Sequence, residues 1–348
     1  MAAATALALA LSGCTSGESD PVEGTPTSEA SPTLPEPVEG SPSATPSPTP
    51  TAEPVETPVD TSQPDITSYF DKRFTGGDLR LGRIHERQAT YTSRNVTFRS
   101  EGLTISGVLN VPRGRGPFPA VVLVHGYIPP DSYEQGQGMT RERGYLADQG
   151  FIALHVDLRG HAASDDDPRL FRGFRHGYAA DAINAVHALR ETTDVPVDDD
   201  RIALAGRSMG GGVVLQALEM APGLVGAGVV FSGVSSLEAD QWAQYGDGGS
   251  GFWSYAERRW GTPDENPEPY LRASTRPHLG RITEPLLMHH GTLDDQTPPR
   301  WARATHRAAK QAGVDVTLRW YEGEGHAFGP QFPDAMARTV RFLERELG

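Results

Sequence analysis

Three positions in this 348-residue chain have the types and the order needed to attack a carbonyl carbon: Ser208, an aspartate at 294 or 295, and His326. A serine hydroxyl is a poor nucleophile near neutral pH. It needs a base to take its proton and an acid to orient that base. Ser208 stands in Gly206-Arg207-Ser208-Met209-Gly210. The apolar run ending in Leu204-Ala205 precedes this stretch with the pattern of a short buried strand, and Gly211 to Leu218 follows with that of a helix. A Gly-x-Ser-x-Gly between strand and helix is the signature of a nucleophile elbow. So tight a turn strains the serine backbone and leaves no room for a Cβ at the flanking glycines. It lifts the serine hydroxyl above the sheet edge and aims the next amide, that of Met209, at a developing oxyanion.

The partners must come from loops at the same sheet edge. In this arrangement the acid follows the serine along the chain, past one strand, and the histidine follows past the last strand. Residues 285–289 form an apolar run, and His290-Gly291-Thr292-Leu293-Asp294-Asp295-Gln296-Thr297-Pro298 comes after it. Residues 316–320 read as the last strand, and Glu322-Gly323-Glu324-Gly325-His326-Ala327-Phe328 comes after that. Either aspartate fits the acid by position, and His326 fits the base. The wholly apolar Ala120 to Val124 runs into His125-Gly126-Tyr127, so the Tyr127 amide is the natural second oxyanion donor beside Met209.

The elements that must hold these loops alternate. Residues 95–99 and 103–111 pattern as a hairpin, followed by strands at 120–124, 151–156, 201–205, 226–231, 285–289 and 316–320. Helices are expected at 179–189, from Ser208 to about Met220, at 300–311 and at 335–347. This predicts an α/β fold with a mostly parallel central sheet, helices on both faces and the hairpin at an antiparallel edge. Residues 66–87 show no pattern that assigns them. Residues 234–280 break the rhythm with a Gly-rich knot at Gly246 to Gly251 and many aromatics. Trp242, Phe252, Trp253 and Trp260 there are candidates either for lining a substrate pocket as a small cap or for packing that cap on the main domain.

On these motifs the chain from about Asn95 to its end resembles an α/β-hydrolase, and within that superfamily the catalytic domain of the prolyl oligopeptidase family. His290, Gly291, Asp294 and Pro298 match its His-Gly-x-x-Asp-x-x-Val-Pro pattern, with Thr297 in the usual Val place. Gly323, Gly325, His326 and Phe328 match its Gly-x-Gly-His-x-Phe. The resemblance implies Ser208 as nucleophile, Asp294 as the orienting acid and His326 as general base, acting through an acyl-enzyme, with Asp295 a solvated neighbour. The family's oligopeptidases carry a β-propeller ahead of this domain, and residues 66–94 are too few for one. Peptide and ester substrates, small molecules or short peptides, therefore both remain open, since dienelactone-hydrolase-like esterases share much of the motif set. A non-catalytic binding protein with the same fold is the reading from another class.

The other histidines are expected to be structural: His155 mid-strand, His289 and His290 at a strand end, and His161 holding the loop that follows Asp157-Leu158-Arg159-Gly160. No spacing reads as a metal-ligand set and no phosphate loop or dinucleotide fingerprint occurs, so neither metal nor cofactor is expected.

Residues 1–14 have the form of a lipoprotein-type signal segment. An Ala- and Leu-rich run, too short to span a bilayer, ends in Leu11-Ser12-Gly13-Cys14, with no Lys or Arg ahead of it. Cys14 is the only cysteine, which excludes an intrachain disulfide and makes lipidation there the expectation, with a membrane as partner. Residues 15–65 are Pro, Ser, Thr and Glu, with Pro-Val-Glu recurring at 21, 37 and 54, and are expected to be a disordered tether leading to a hydrolase domain over 66–348. Ten acids and no Lys or Arg fall before residue 66, so the net charge of −14 is −4 for the remainder. A near-neutral folded part excludes nucleic acid as an expected partner.

Overall fold

The computed structural model describes residues 64–246 and 251–348. The signal segment with Cys14, the tether to residue 63, and 247–250 of the Gly-rich knot lie outside the described residues. Nine strands form one sheet in the order β1-β2-β3-β5-β4-β6-β7-β8-β9. They are β1 Gly76–Arg87, β2 Tyr91–Ser100, β3 Leu103–Pro112, β4 Phe118–Val124, β5 Ile152–Val156, β6 Val197–Arg207, β7 Ala227–Phe231, β8 Leu286–Gly291 and β9 Val316–Tyr321. The strands from β5 through β4 to β9 are parallel to their neighbours. The β2–β3 hairpin joins them antiparallel through β3 and β5.

The hairpin is not the edge. Residues 76–87, which carry no sequence pattern that assigns them, form β1 and pair antiparallel with β2. Leu79 and Leu81 reach the core between exposed Asp78, Arg80 and Gly82, but the register shifts three times and the alternation fails beyond Leu81, which leaves too short a pattern to assign the strand.

Strands β4 and β7 at the middle of the sheet carry no polar side chain, because both faces are covered. Val122 and Val124 of β4 pack with α2 (Gly177–Glu191), α3 (Met209–Met220) and α7 (Pro299–Gln311). Their neighbours Val121 and Leu123 pack on the other side, with α1 (Thr140–Asp148) and α8 (Phe332–Leu347). No apolar period announces α1. Its buried positions include Glu142 and Arg143, so polar residues stand where a helix pattern needs apolar ones.

The 234–280 insertion holds α4 (Glu238–Tyr245), α5 (Gly251–Trp260) and α6 (Pro267–Ala273). Phe252, Trp253 and Trp260 form a separate small core with Phe174 and Tyr270, and Trp242 packs against it. The insertion thus has its own apolar centre, closed by a residue from the loop before α2.

Candidate active site

The elbow is as strained as the sequence requires. Ser208 has φ 57° and ψ −121°, a conformation rare outside glycine. A Cβ at Gly206 would lie 2.2 Å from the Gly210 carbonyl oxygen, and one at Gly210 would lie 2.1 Å from that of Val124. Both obstacles are backbone atoms, so no side chain could yield to make room. The Ser208 amide donates to the Phe231 carbonyl at 3.0 Å, and its carbonyl accepts from Gly211 and Val234 at 3.0 and 3.2 Å. The turn is therefore pinned to β7 on one side and to its own helix on the other. Arg207, inside the elbow, points away from the site and pairs with buried Glu142 of α1.

His326 and Asp294 come together past β9 and β8. His326 Nδ1 donates to the Asp294 carboxylate, 3.1 and 3.0 Å from its two oxygens. The carboxylate also accepts from the Gln296 amide at 3.1 Å and from the Thr297 amide and hydroxyl at 2.9 and 2.8 Å. Burial raises the pKa of this carboxyl, but the His326 and Thr297 hydrogen bonds outweigh it and hold it at about 2. Asp294 is 3% exposed. Asp295 is exposed, and its backbone carbonyl accepts from Gln244. Of the two aspartates, only Asp294 meets His326.

The loops around this pair are tied down. His290 Nε2 donates to the Thr297 carbonyl at 2.8 Å, which closes the loop carrying Asp294. Arg141 of α1 donates to the Ala327 and Phe328 carbonyls, just past His326. Glu324 accepts from the Gln331 amide at 2.6 Å and closes the same loop. Helix α1 thus braces the elbow through Glu142 and the histidine loop through Arg141. Ser208 Oγ and His326 Nε2 are not hydrogen-bonded to each other among the described residues; such bonds tighten when substrate binds.

Tyr127 follows β4 at the mouth of the site, and its side chain is exposed. Neither its amide nor that of Met209 is engaged in a backbone hydrogen bond among the described residues. Gly126 lies against the nucleophile, since a Cβ there would stand 3.1 Å from the Ser208 Cβ. Behind the loop a buried polar cluster fixes it. The Asp157 carboxylate accepts from Tyr133, Ser106 and the Gly136 amide at 2.8, 2.6 and 2.8 Å. His161 packs edge-on to His125, and Arg143 reaches His155 at 3.0 Å. His289 stacks on Phe231 and bonds Tyr321 and Thr339, a packed core position.

A cavity opens beside Met209, lined by α3, the loop into α2 and the start of the insertion. None of Trp242, Phe252, Trp253 and Trp260 lines it. Phe252 and Trp253 meet it through Arg175, whose guanidinium carbon lies 3.9 and 5.3 Å from the centres of their rings. Arg175 and Glu238, two charged lining residues, carry no sequence signal, because nothing local marks a charge that will face a cavity. No group of three His, Cys, Asp or Glu side chains among the described residues could hold a metal, and no described helix is long and apolar enough to cross a membrane.

Residues 138–348 match the model of the prolyl oligopeptidase family. The chain belongs to that family. The human prolyl endopeptidase FAP is 31% identical over 188 residues, a match covering 52% of this chain and 23% of the relative. The chain thus spans about a quarter of that relative's length. Among solved structures, the acylaminoacyl peptidase of Pyrococcus horikoshii superposes with a TM-score of 0.58 at 22% identity, over 74% of this chain and 42% of the other. An acetyl xylan esterase from Paenibacillus sp. R4 superposes with a TM-score of 0.61 at 21% identity, over 81% of this chain and 92% of the other. These likenesses show a shared α/β-hydrolase fold. Family and fold together place the domain among the serine hydrolases.

Proposed function

We propose that this chain cleaves amide or ester bonds through an acyl-enzyme, with Ser208 as nucleophile, His326 as general base and then general acid, and Asp294 as the group that orients His326. The observation that carries this reading is the His326–Asp294 hydrogen bond, formed at the same sheet edge as a serine at φ 57°. Asp294 holds the proton of His326 on Nδ1, which leaves Nε2 free to accept the Ser208 proton as Oγ attacks the carbonyl carbon. The oxyanion that forms takes hydrogen bonds from the Met209 and Tyr127 amides. His326 then gives its proton to the leaving nitrogen or oxygen, and the acyl group stays on Ser208. Water attacks next as His326 takes its proton, and His326 returns that proton to Ser208 Oγ as the acyl C–O bond breaks and the acid product leaves. No cofactor enters these steps. The similarity to prolyl endopeptidase supports a peptide bond as the target. A carboxylesterase acting on activated acyl groups would use the same steps.

A fluorophosphonate probe tests the nucleophile, and a panel of p-nitrophenyl esters beside aminoacyl and dipeptidyl p-nitroanilides tests the bond. Labelling that vanishes in Ser208→Ala is expected. An unlabelled, well-folded wild type overturns the reading and leaves a binding protein of hydrolase fold.

We also propose that the mature chain starts at Cys14 and is anchored by lipid on the outer side of a cell membrane. The short apolar run and the Leu-Ser-Gly-Cys ending support this, as does the Pro-rich stretch after them. A single acyl chain binds a bilayer only marginally, so a stable anchor needs more than one on this cysteine. Detergent-phase partitioning lost in Cys14→Ser is the expected result; mass spectrometry showing an unmodified N-terminus in the native host would overturn it.

A further inference from the structure

Ser208 and His326 have to meet within hydrogen-bond reach, yet they follow strands that are not neighbours. Strands β7 and β8 lie between β6 and β9. At the ordinary spacing of strands those two ends stand about 14 Å apart. Each loop therefore has to be led toward the other and held there. The first turn of α1 touches both.

Arg141 holds the histidine loop. Its Nη2 donates to the Ala327 carbonyl at 2.5 Å and to the Phe328 carbonyl at 3.2 Å, and its guanidinium carbon lies 4.1 Å from the centre of the Phe332 ring. Among the described residues no backbone N–H donates to either carbonyl. The two carbonyls belong to the peptide units on either side of the Phe328 Cα, so their relative direction is set by the φ and ψ of that residue. Phe328 has φ 54°, a left-handed conformation that is an outlier for a bulky side chain. Such a backbone persists only where its surroundings hold it. Burial of the Phe328 ring against Phe231 and Tyr321 holds the side chain. Arg141 holds the peptides, just past His326.

Glu142 is the next residue of the same turn. It is 1% exposed and pairs with Arg207, the residue before Ser208. Successive residues of an α-helix point about 100° apart, so one rigid turn can grip two loops in different directions. We propose that Arg141 is a positioning residue for the reaction: by fixing the backbone at Phe328 it holds His326 at a set distance from Ser208, with Glu142 as the fixed point on the elbow side. Serine and base are then spaced by adjacent residues of one helix as well as by the sheet. Arg141 is itself exposed, so its truncation leaves no buried charge without a partner.

This inference rests on the serine-hydrolase reading, and the experiment separates the two. Wild-type protein is first labelled with the fluorophosphonate probe, and Arg141→Met and Arg141→Lys are then compared with it on a p-nitrophenyl ester. Methionine keeps apolar contact with Phe332 and loses the donors, whereas lysine restores a charged donor. Misplacing a catalytic group by about 1 Å costs about 100-fold, and a loop that still visits the right place costs less, so kcat of Arg141→Met should fall by about 10- to 100-fold. His326 serves both formation and breakdown of the acyl-enzyme, so both steps slow together and KM should stay within about twofold. Arg141→Lys should recover about threefold or more of the loss. In the Asp294→Asn background, where His326 already holds the wrong tautomer, Arg141→Met should add less than about threefold. Hydrogen exchange should quicken in the 325–331 segment while the rest of the chain keeps its wild-type rates. Arg141→Gln, a second and shorter truncation, carries the same expectations should the methionine variant not fold. A labelled wild type whose folded truncation keeps kcat within about twofold, or loses through KM alone, overturns the positioning role. So does an equal loss in the Asp294→Asn background, which general weakening of the fold would produce. Wild-type protein that the probe does not label removes the hydrolase reading and this inference with it.

Discussion

Replacing Asp294 by Asn changes one atom, and the hydrogen bonds around that atom dictate the consequence. Oδ1 accepts from the Gln296 and Thr297 amides at 3.1 and 2.9 Å. Both are backbone donors that cannot turn away, so the Asn oxygen must keep that place. The new NH2 then stands where Oδ2 was, 3.0 Å from His326 Nδ1 and 2.8 Å from the Thr297 hydroxyl. It donates to Nδ1, which forces the imidazole proton onto Nε2. That nitrogen can no longer take the Ser208 proton. The same change of tautomer in a Ser-His-Asp triad costs about 10⁴-fold, or about 5.5 kcal/mol of barrier. The loss should appear in kcat/KM for a p-nitrophenyl ester at every pH where wild type is active, because the native carboxyl is held at about 2 and stays ionised throughout. Asp295→Asn is the control: that side chain is exposed, and activity should stay within about threefold of wild type. Equal losses in the two variants, or a larger loss in Asp295→Asn, would refute the assignment.

Three further outcomes are expected. Ser208→Ala should lower turnover by about 10⁴- to 10⁶-fold with an unchanged circular-dichroism spectrum, and a tenth of wild-type rate on any substrate would sink the elbow. Gly210→Ala puts a Cβ 2.1 Å from the Val124 carbonyl and 2.6 Å from that of His125, so it should cost ~3 kcal/mol or more, read as a lowered denaturant midpoint; an unchanged midpoint counts against the elbow geometry. Burial depresses His125 and His176 to about 4 and His289 to about 3. Their unfolded forms take up protons first as pH falls, so stability is full above about pH 6.5 and is lost down to about pH 4, by about 1.4 kcal/mol per unit for each histidine. Buried Glu219 and Glu238, with raised pKa values, oppose this in the same range but are fewer. Thermal melts in overlapping buffers that stayed flat from about pH 6.5 to 5 would contradict it.

Features that depend on local sterics and short periods are written in the chain itself. Gly206 and Gly210 announce the elbow because the clash they avoid is with backbone a few residues away or in the adjoining strand. The apolar runs at 120–124 and 202–205 announce strands covered on both faces, since a polar side chain there would need a partner inside the core. The order of Ser208, Asp294 and His326 places each at a strand end, because parallel strands deliver their following loops to one edge. Other features wait on long-range packing. Residues 76–87 became a strand because β2 offered a partner, not because their own pattern demanded it. Asp294 and Asp295 are chemically identical, and burial against Thr297 and His326 distinguishes them. The rings of the insertion gathered into a core of their own around Phe174, a residue far upstream in the chain, and left Arg175 and Glu238 to face the cavity. Which side chain of an amphipathic segment meets substrate depends on the shape of a distant surface, and no local pattern encodes that.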